Sequence, residues 1–184
     1  MSENAISLYN AFLESGDEQA LEALVRAYSD PLVRYAHSYV RDDAAAEEAM
    51  EDAFAALILN RKCFREEGQL RTYLYKSVRS KCIDRLRRQK FVFSLSDSAL
   101  SEDLFSDEDT EEGETARERR RIVLECIARL PEQYREILYL FYFEGLDFDG
   151  VCRVTGKSRK QAYNLLSRAR DALKELLLKE GFEG

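Results

Sequence analysis

Ser158 to Arg170 reads S-R-K-Q-A-Y-N-L-L-S-R-A-R. Ser158 suits a helix N-cap, and Gln161, three residues on, completes the pattern of a capping box. Ala162, Leu165, Leu166 and Ala169 recur at helical spacing on one apolar face. The opposite face carries Arg159, Lys160, Tyr163, Asn164, Ser167 and Arg168, and no acid. Cations on such a face can neutralise phosphates, and amide and hydroxyl groups can hydrogen-bond to base edges. Just upstream, Asp147 to Val154 is a short helix candidate, with Asp147 as its cap and Leu146 and Val151 placed as a hydrophobic staple. Thr155-Gly156-Lys157 links the two, and Gly156 can take the positive φ that ends the first. Two short helices joined by a glycine-containing turn, the second basic and capped, form the helix-turn-helix pattern. An ordinary helical hairpin with a solvated basic face fits the same residues, and on these residues alone the two readings stand even.

A second block of cations lies between Arg71 and Lys90: Arg71, Lys76, Arg79, Lys81, Arg85, Arg87, Arg88 and Lys90, against the single acid Asp84. It reads as a long basic helix from about Gln69 to Gln89, with Leu70, Tyr73, Leu74, Ser77, Val78, Cys82 and Leu86 able to face a core. Tyr73 and Tyr75 stand among the cations, a mixture suited to phosphate contact combined with base stacking on a single strand. The competing account is that the tyrosines are core and the cations balance an acidic neighbour. That neighbour is at hand. Ala46, Ala49, Met50, Ala53, Phe54, Leu57 and Ile58 mark an amphipathic helix capped by Asp42 or Asp43, whose other face shows Glu47, Glu48, Glu51 and Asp52. The acid face is either plainly solvated or a docking surface for a basic partner.

These blocks sit in a chain of 184 residues with a net charge of −7, which on its own argues against a simple nucleic-acid binder. The charge is polarised, however, into stretches of one sign, and that is the better guide to partners. Helix-forming composition, with 8 Gly and 2 Pro, points to an all-α protein. No apolar run approaches the ~20 residues needed to span a bilayer, and no apolar signal segment opens the chain, so a cytoplasmic protein without membrane insertion is expected. Cys63, Cys82, Cys126 and Cys152 lack metal-site spacing and read as reduced, mostly buried thiols; His37 reads as structural. No carboxylate pair, nucleophile triad, phosphate loop or metal cluster supports catalysis, so neither an enzyme nor a cofactor is expected.

The rest of the chain supplies the scaffold. One helix begins at Asp17, with Ala20, Leu21, Leu24, Val25 and Tyr28 on a face. Asp30-Pro31 reads as the cap and first position of another, continued by Leu32, Val33, Ala36 and Val40. Lys62 to Gly68 reads as a loop. Phe91 to Ala116, rich in serine and acid and without a basic residue, reads as a flexible tether. Beyond it, Ile122, Val123, Cys126, Ile127 and Leu130 give one helix face; Pro131 starts another, with Tyr134, Ile137, Leu138, Phe141 and Tyr142 on the buried side and Gly145 at its end. The expected organisation is two small helical domains, residues 1–92 and 117–184, joined by an acidic linker over 93–116.

Two stretches resemble the sigma factors of bacterial RNA polymerase, in the compact extracytoplasmic-function group. A-E-E-A-M-E-D-A-F (Ala46 to Phe54) and the helix from Leu70 to Arg88 are similar to the sigma-two domain; L-P-E-Q-Y-R-E-I-L-Y-L (Leu130 to Leu140), E-G-L-D-F (Glu144 to Phe148) and Thr155 to Arg170 are similar to the sigma-four domain. The resemblance implies that Glu48, Glu51, Asp52 and Phe54 bind the β′ clamp of core polymerase. It implies that the loop Phe64 to Gly68, with Arg65, and the helix from Arg71 to Arg88, with Arg71, Tyr73, Tyr75, Lys76, Arg79, Lys81, Arg85 and Arg88, meet the minus-ten element. It assigns Leu130 to Phe143 to the β flap, and Ser158, Arg159, Lys160, Gln161, Tyr163, Asn164 and Arg168 to the minus-thirty-five element of promoter DNA. An anti-sigma protein is a frequent partner in the family. The chain departs from the pattern at Tyr73, where Trp is usual, at Ser80, at Gly150-Val151-Cys152 in place of Glu-Ile-Ala, and at Lys157 and Leu165. A stand-alone helix-turn-helix regulator and an adaptor that binds polymerase without promoter recognition are the rival readings.

Overall fold

The computed structural model describes residues 4–92 and 114–182. The described residues form eight α-helices in two compact units, α1–α4 and α5–α8. Most of the stretch expected as a tether lies outside the described residues; its last residues already belong to a helix, which begins at Glu114.

In the first unit, α1 (Ala5–Ser15) is capped by Asn4, whose side chain accepts from the Ile6 N–H at 3.1 Å. The segment is amphipathic, as the start of the sequence suggests. Its place is set by tertiary contacts: Tyr9 is fully buried and donates its hydroxyl to the Leu57 carbonyl at 3.2 Å. Asp17 caps α2 (Glu18–Val40) through the Gln19 and Ala20 N–H groups. Here one expectation is corrected. Asp30-Pro31 does not start a helix; Pro31 lies inside α2. A proline there removes one bond to the carbonyl four residues back, which by itself favours a break. The apolar stripe outweighs it: Ala20, Leu24, Tyr28, Leu32, Tyr35, Ala36 and Tyr39 are all buried along one line that runs past the proline.

Asp42 caps α3 (Asp43–Asn60) by accepting from the Ala45 N–H at 2.8 Å. Alanines at 45, 46, 49 and 53 are buried, so α3 approaches its neighbours closely. The fourth helix, α4 (Glu67–Val92), starts two residues before the expected Gln69 and runs slightly past Gln89. It buries Leu70, Leu74, Tyr75, Val78 and Cys82.

In the second unit, α5 (Glu114–Ala128) buries Cys126 and Ile127. The next helix, α6 (Glu132–Leu138), widens at its end into a π-helical turn, Tyr139–Phe143, where the Glu144 N–H bonds to the Tyr139 carbonyl five residues back at 3.0 Å. The wide turn explains a second correction. Tyr142, expected on the buried side, is 52% exposed, whereas Tyr139 and Leu140 are buried. A π-turn inserts an extra residue, which shifts the inward face of every later position. Gly145, at φ +58, follows the turn. Then come α7 (Phe148–Thr155) and α8 (Arg159–Lys179), joined through Gly156 at φ +69.

A Cβ at position 156 would meet no atom within 4 Å. Gly156→Ala therefore carries only the left-handed backbone cost, about 1–2 kcal/mol. The urea midpoint should fall correspondingly, with unchanged helical circular dichroism.

Candidate functional site

In the first unit the acid face and the basic helix lie side by side. Glu48, Glu51 and Asp52 are exposed on α3. Two of them reach across to α4: Lys81 Nζ donates to Asp52 Oδ2 at 2.8 Å, and Arg85 pairs with Glu48. These contacts line a cleft of about 200 Å³ between the helices. The sequence-level alternatives thus meet: part of the basic face does balance its acidic neighbour, while Lys76 and Arg88 on α4 and Arg65 before it are exposed.

Two of the expected contact residues are buried, Tyr75 against expectation and Phe54 as its place on the apolar face of α3 requires. Tyr75, expected among the DNA contacts, is 0% exposed; its ring packs edge-on against Tyr35 at 5.1 Å between centroids. Phe54, expected to touch polymerase, is 4% exposed and belongs to the core. Both follow from helical geometry. Tyr75 follows Leu74 and precedes Val78 by three, so it shares their inward arc. Phe54 follows the buried Ala53 and precedes Leu57 in the same way.

Tyr73, by contrast, is half-buried at the rim. Phe64 lies beside it at 5.6 Å and Tyr9 beyond that at 5.8 Å, and Lys62 Nζ sits 4.6 Å above the Tyr73 ring. Lys62 looked like plain loop in the sequence and Phe64 entered only through the family resemblance, because only the fold brings a 62–64 segment onto residue 73. Arg71 is half-buried, held by Glu67 at 2.9 Å and lying 5.8 Å from the Tyr28 ring centre. Burial pushes the Tyr28 hydroxyl above its ordinary pKa, against the opposing pull of Arg71. Arg79 is half-buried on the same helix.

In the second unit the local signals of the helix-turn-helix are all realised. Asp147 accepts from the Gly150 N–H at 2.6 Å, and Leu146 and Val151 are both buried. The capping box is closed in both directions: Gln161 N–H to Ser158 Oγ at 3.3 Å, and Ser158 N–H to Gln161 Oε1 at 2.9 Å. Gln161 therefore uses its carbonyl oxygen within the chain and keeps its amino group for other contacts. Ala162, Leu166 and Ala169 are buried, and Leu165 is half-buried. Ser158, Arg159, Lys160, Tyr163, Asn164 and Arg168 are exposed, Tyr163 to 68%. Arg159 is bound to Asp149 of α7, whose carboxylate holds the guanidinium above its ordinary pKa.

The same unit carries an apolar groove of about 440 Å³ lined by Val123, Ile127, Leu138, Phe143, Leu173 and Leu177 among others, with Arg170 and Lys174 in its wall. Arg170 also lies 5.8 and 5.5 Å from the Phe141 and Tyr142 rings.

The two units, one with an acid-flanked basic helix and one with a capped helix-turn-helix, each present a basic helical face of the kind that DNA-binding proteins use. Comparison with known proteins makes this specific. Residues 24–92 match the family model of sigma-70 region 2, and residues 120–173 match that of sigma-70 region 4. The RNA polymerase sigma factor SigZ of Bacillus subtilis is 27% identical over 157 residues, covering 85% of this chain and 86% of that protein. The ECF sigma factor SigM of Mycobacterium tuberculosis is 28% identical over 164 residues, covering 89% and 80%. Among solved structures, CnrH in complex with the cytosolic domain of CnrY superposes with a TM-score of 0.58 at 20% identity, covering 95% of this chain and 97% of that one. RpoE in complex with the anti-sigma factor NepR from Bartonella quintana gives 0.60 at 16% identity, covering 86% and 97%. The chain belongs to the sigma-70 family, in its extracytoplasmic-function group, whose members direct RNA polymerase to promoters.

Burial pushes the Cys82 thiol up to about 12. The unfolded chain ionises this thiol near the ordinary 9.0 and the folded chain does not. Its contribution to stability is therefore complete below pH ~9 and declines as the pH rises toward 12. At neutral pH a thiol reagent should modify exposed Cys63 within the mixing time and Cys82 only at the rate of unfolding. In the same core, Tyr75→Ala should lower stability by about 3–5 kcal/mol, as aromatic truncation in a core does, measured by urea denaturation.

Proposed function

We propose that this sigma factor divides its work by charge. Glu48, Glu51 and Asp52 on α3 meet a basic surface of the polymerase β′ clamp. Lys76, Lys81, Arg85 and Arg88 on α4, Arg65 before it and the Lys62–Phe64–Tyr73 rim meet the minus-ten element as it opens, with Arg71 and Arg79 at the edge of that face. The exposed side of α8, with Lys160, Tyr163, Asn164 and Arg168 and with Ser158, Arg159 and Gln161 at its start, enters the major groove at the minus-thirty-five element. The groove between α5, the π-turn and α8 takes an apolar segment of the β flap. The reading rests on one observation above all: both sigma-70 regions match, in order, and each matched unit shows a charged helical face to solvent.

Catalysis forms no part of this role, because the chemistry belongs to the polymerase; the factor acts beside the enzyme in the cytoplasm. Among the described residues no helix is long and apolar enough to cross a membrane. Binding follows an order. Lys81 and Arg85 are engaged by Asp52 and Glu48 in the free protein. A basic polymerase surface that takes those carboxylates would leave the two cations for DNA. An anti-sigma protein would act by covering the same acid and cation faces.

Run-off transcription with core polymerase, with and without the full chain, on a library of promoter fragments tests the assignment. Start sites that appear only with the chain support it; duplex binding without any polymerase dependence favours the stand-alone regulator, and polymerase binding without transcripts favours the adaptor. Glu51→Lys is the cleanest probe of docking, because Glu51 is exposed and makes no described ion pair. It should weaken affinity for core polymerase by about tenfold in a fluorescence titration while leaving the melting temperature in place. Arg168→Ala should reduce the log–log salt slope of promoter binding by about one.

A further inference from the structure

Arg159 opens the recognition helix, but it is not a free cation. Its Nε donates to Asp149 Oδ1 at 2.7 Å, and its Nη2 lies 2.6 Å from the same oxygen. One edge of the guanidinium is thus fixed to α7, and Nη1 makes no described contact. The pair is well exposed, with side-chain accessibilities of 72% and 46%, so it adds little to stability. Its effect falls on what Arg159 can do. A guanidinium tied to a carboxylate is a poor phosphate clamp, because its charge is largely compensated. It is a better directional donor, because its plane is set before DNA arrives and little rotamer freedom remains to be lost. Lys160, the next residue, makes no described ion pair and supplies the undirected charge of this turn.

We propose that Asp149 is a specificity-determining positioning residue, which holds Arg159 so that its remaining donors address an acceptor edge of one base pair in the upstream promoter element. The proposal rests on the reading that α8 enters the major groove. It assigns a role to a residue of the first helix of the motif, one that touches no DNA itself. Without Asp149, Arg159 becomes a mobile cation that settles on the nearest phosphate, raising sequence-independent attraction at the expense of discrimination.

The test uses holoenzyme assembled from core polymerase and the full chain, transcribing templates randomised across the upstream element, with transcripts counted for each template. Wild type is compared with D149N, D149E, R159A and the D149N/R159A double variant. The expected result is that D149N and R159A flatten the preference at the same single base pair by about tenfold. The double variant is no flatter than either, and D149E recovers most of the preference. D149N also steepens the log–log salt dependence of promoter binding by about one, as a freed guanidinium reaches a phosphate; a merely structural residue would not do this. Unchanged preferences in D149N overturn the proposal, as does a uniform loss across all templates, which is the signature of a loosened helix pair. Should D149N fold poorly, R159A decides alone: a wild-type base profile in R159A overturns the proposal. If the wild-type holoenzyme selects no promoters, the sigma reading falls and takes this proposal with it; selection by wild type with an unaltered D149N profile removes this proposal only.

Discussion

A helix that buries one side has to show the other, and both working faces of this protein are consequences of that constraint. In α4 the buried line is Leu70, Leu74, Val78 and Cys82, with Tyr75 beside it. The cations from Arg71 to Arg88 are thereby confined to the rim or the outside. In α8 the line is Ala162, Leu166 and Ala169, and the cations and amides are displaced outward in the same way. Apolar burial supplies the driving force, at roughly 25 cal/mol per Å²; the charges contribute little to holding the helices and are left available for partners. A cation moved onto the buried line would have to be desolvated.

Two of the ion pairs inside the first unit join charges that the proposed function gives opposite tasks. Glu48 and Asp52 face the polymerase in the proposed function, and Arg85 and Lys81 face DNA, yet in the free chain each acid holds one of those cations. All four side chains are substantially exposed, so each pair is worth only a fraction of a kcal/mol to about 1 kcal/mol. That weakness suits exchange. A pair of this strength lowers the charge seen by a passing polyanion but gives way to a denser partner. The acid-rich net charge of −7 and the binding of a polyanion are compatible on these terms.

Much of this was legible in the sequence, and the exceptions have physical causes. The helix-turn-helix could be read almost to the atom, because caps, staple and glycine turn are local devices whose partners lie within three or four residues. The amphipathic α3 and the basic α4 could be read from periodicity, which reports a single buried face. What could not be read depended on distant packing. The proline of α2 looked like a start because its neighbours favour one, and only the stripe buried against other helices carries the helix past it. Tyr75 looked like a stacking residue because aromatics among cations do stack, but Tyr35, forty positions away, takes its ring. The π-turn after α6 has no local signature, so the exposure of Tyr142 was invisible. The bridge from Lys62 and Phe64 to Tyr73 was invisible for the same reason.

The recognition unit shows why local devices can carry so much here. Its first helix, α7, spans only Phe148–Thr155, far below the length at which a helix holds itself together in water. Its glycine at 150 would weaken it further if intrinsic preference decided the matter. Preference does not decide it. Gly150 sits in the first turn, where its N–H is the group that the Asp147 carboxylate accepts from, so the position is used for its backbone donor. At the other end Thr155 closes a bond to the Val151 carbonyl at 2.8 Å, and Gly156 turns the chain. Leu146, Val151 and Val154 anchor the helix from below. The exposed pair of Asp149 with Arg159 adds little to this anchoring. A helix too short to stand alone is in this way oriented by its ends, and the angle at which α8 is presented inherits its definition from those few contacts.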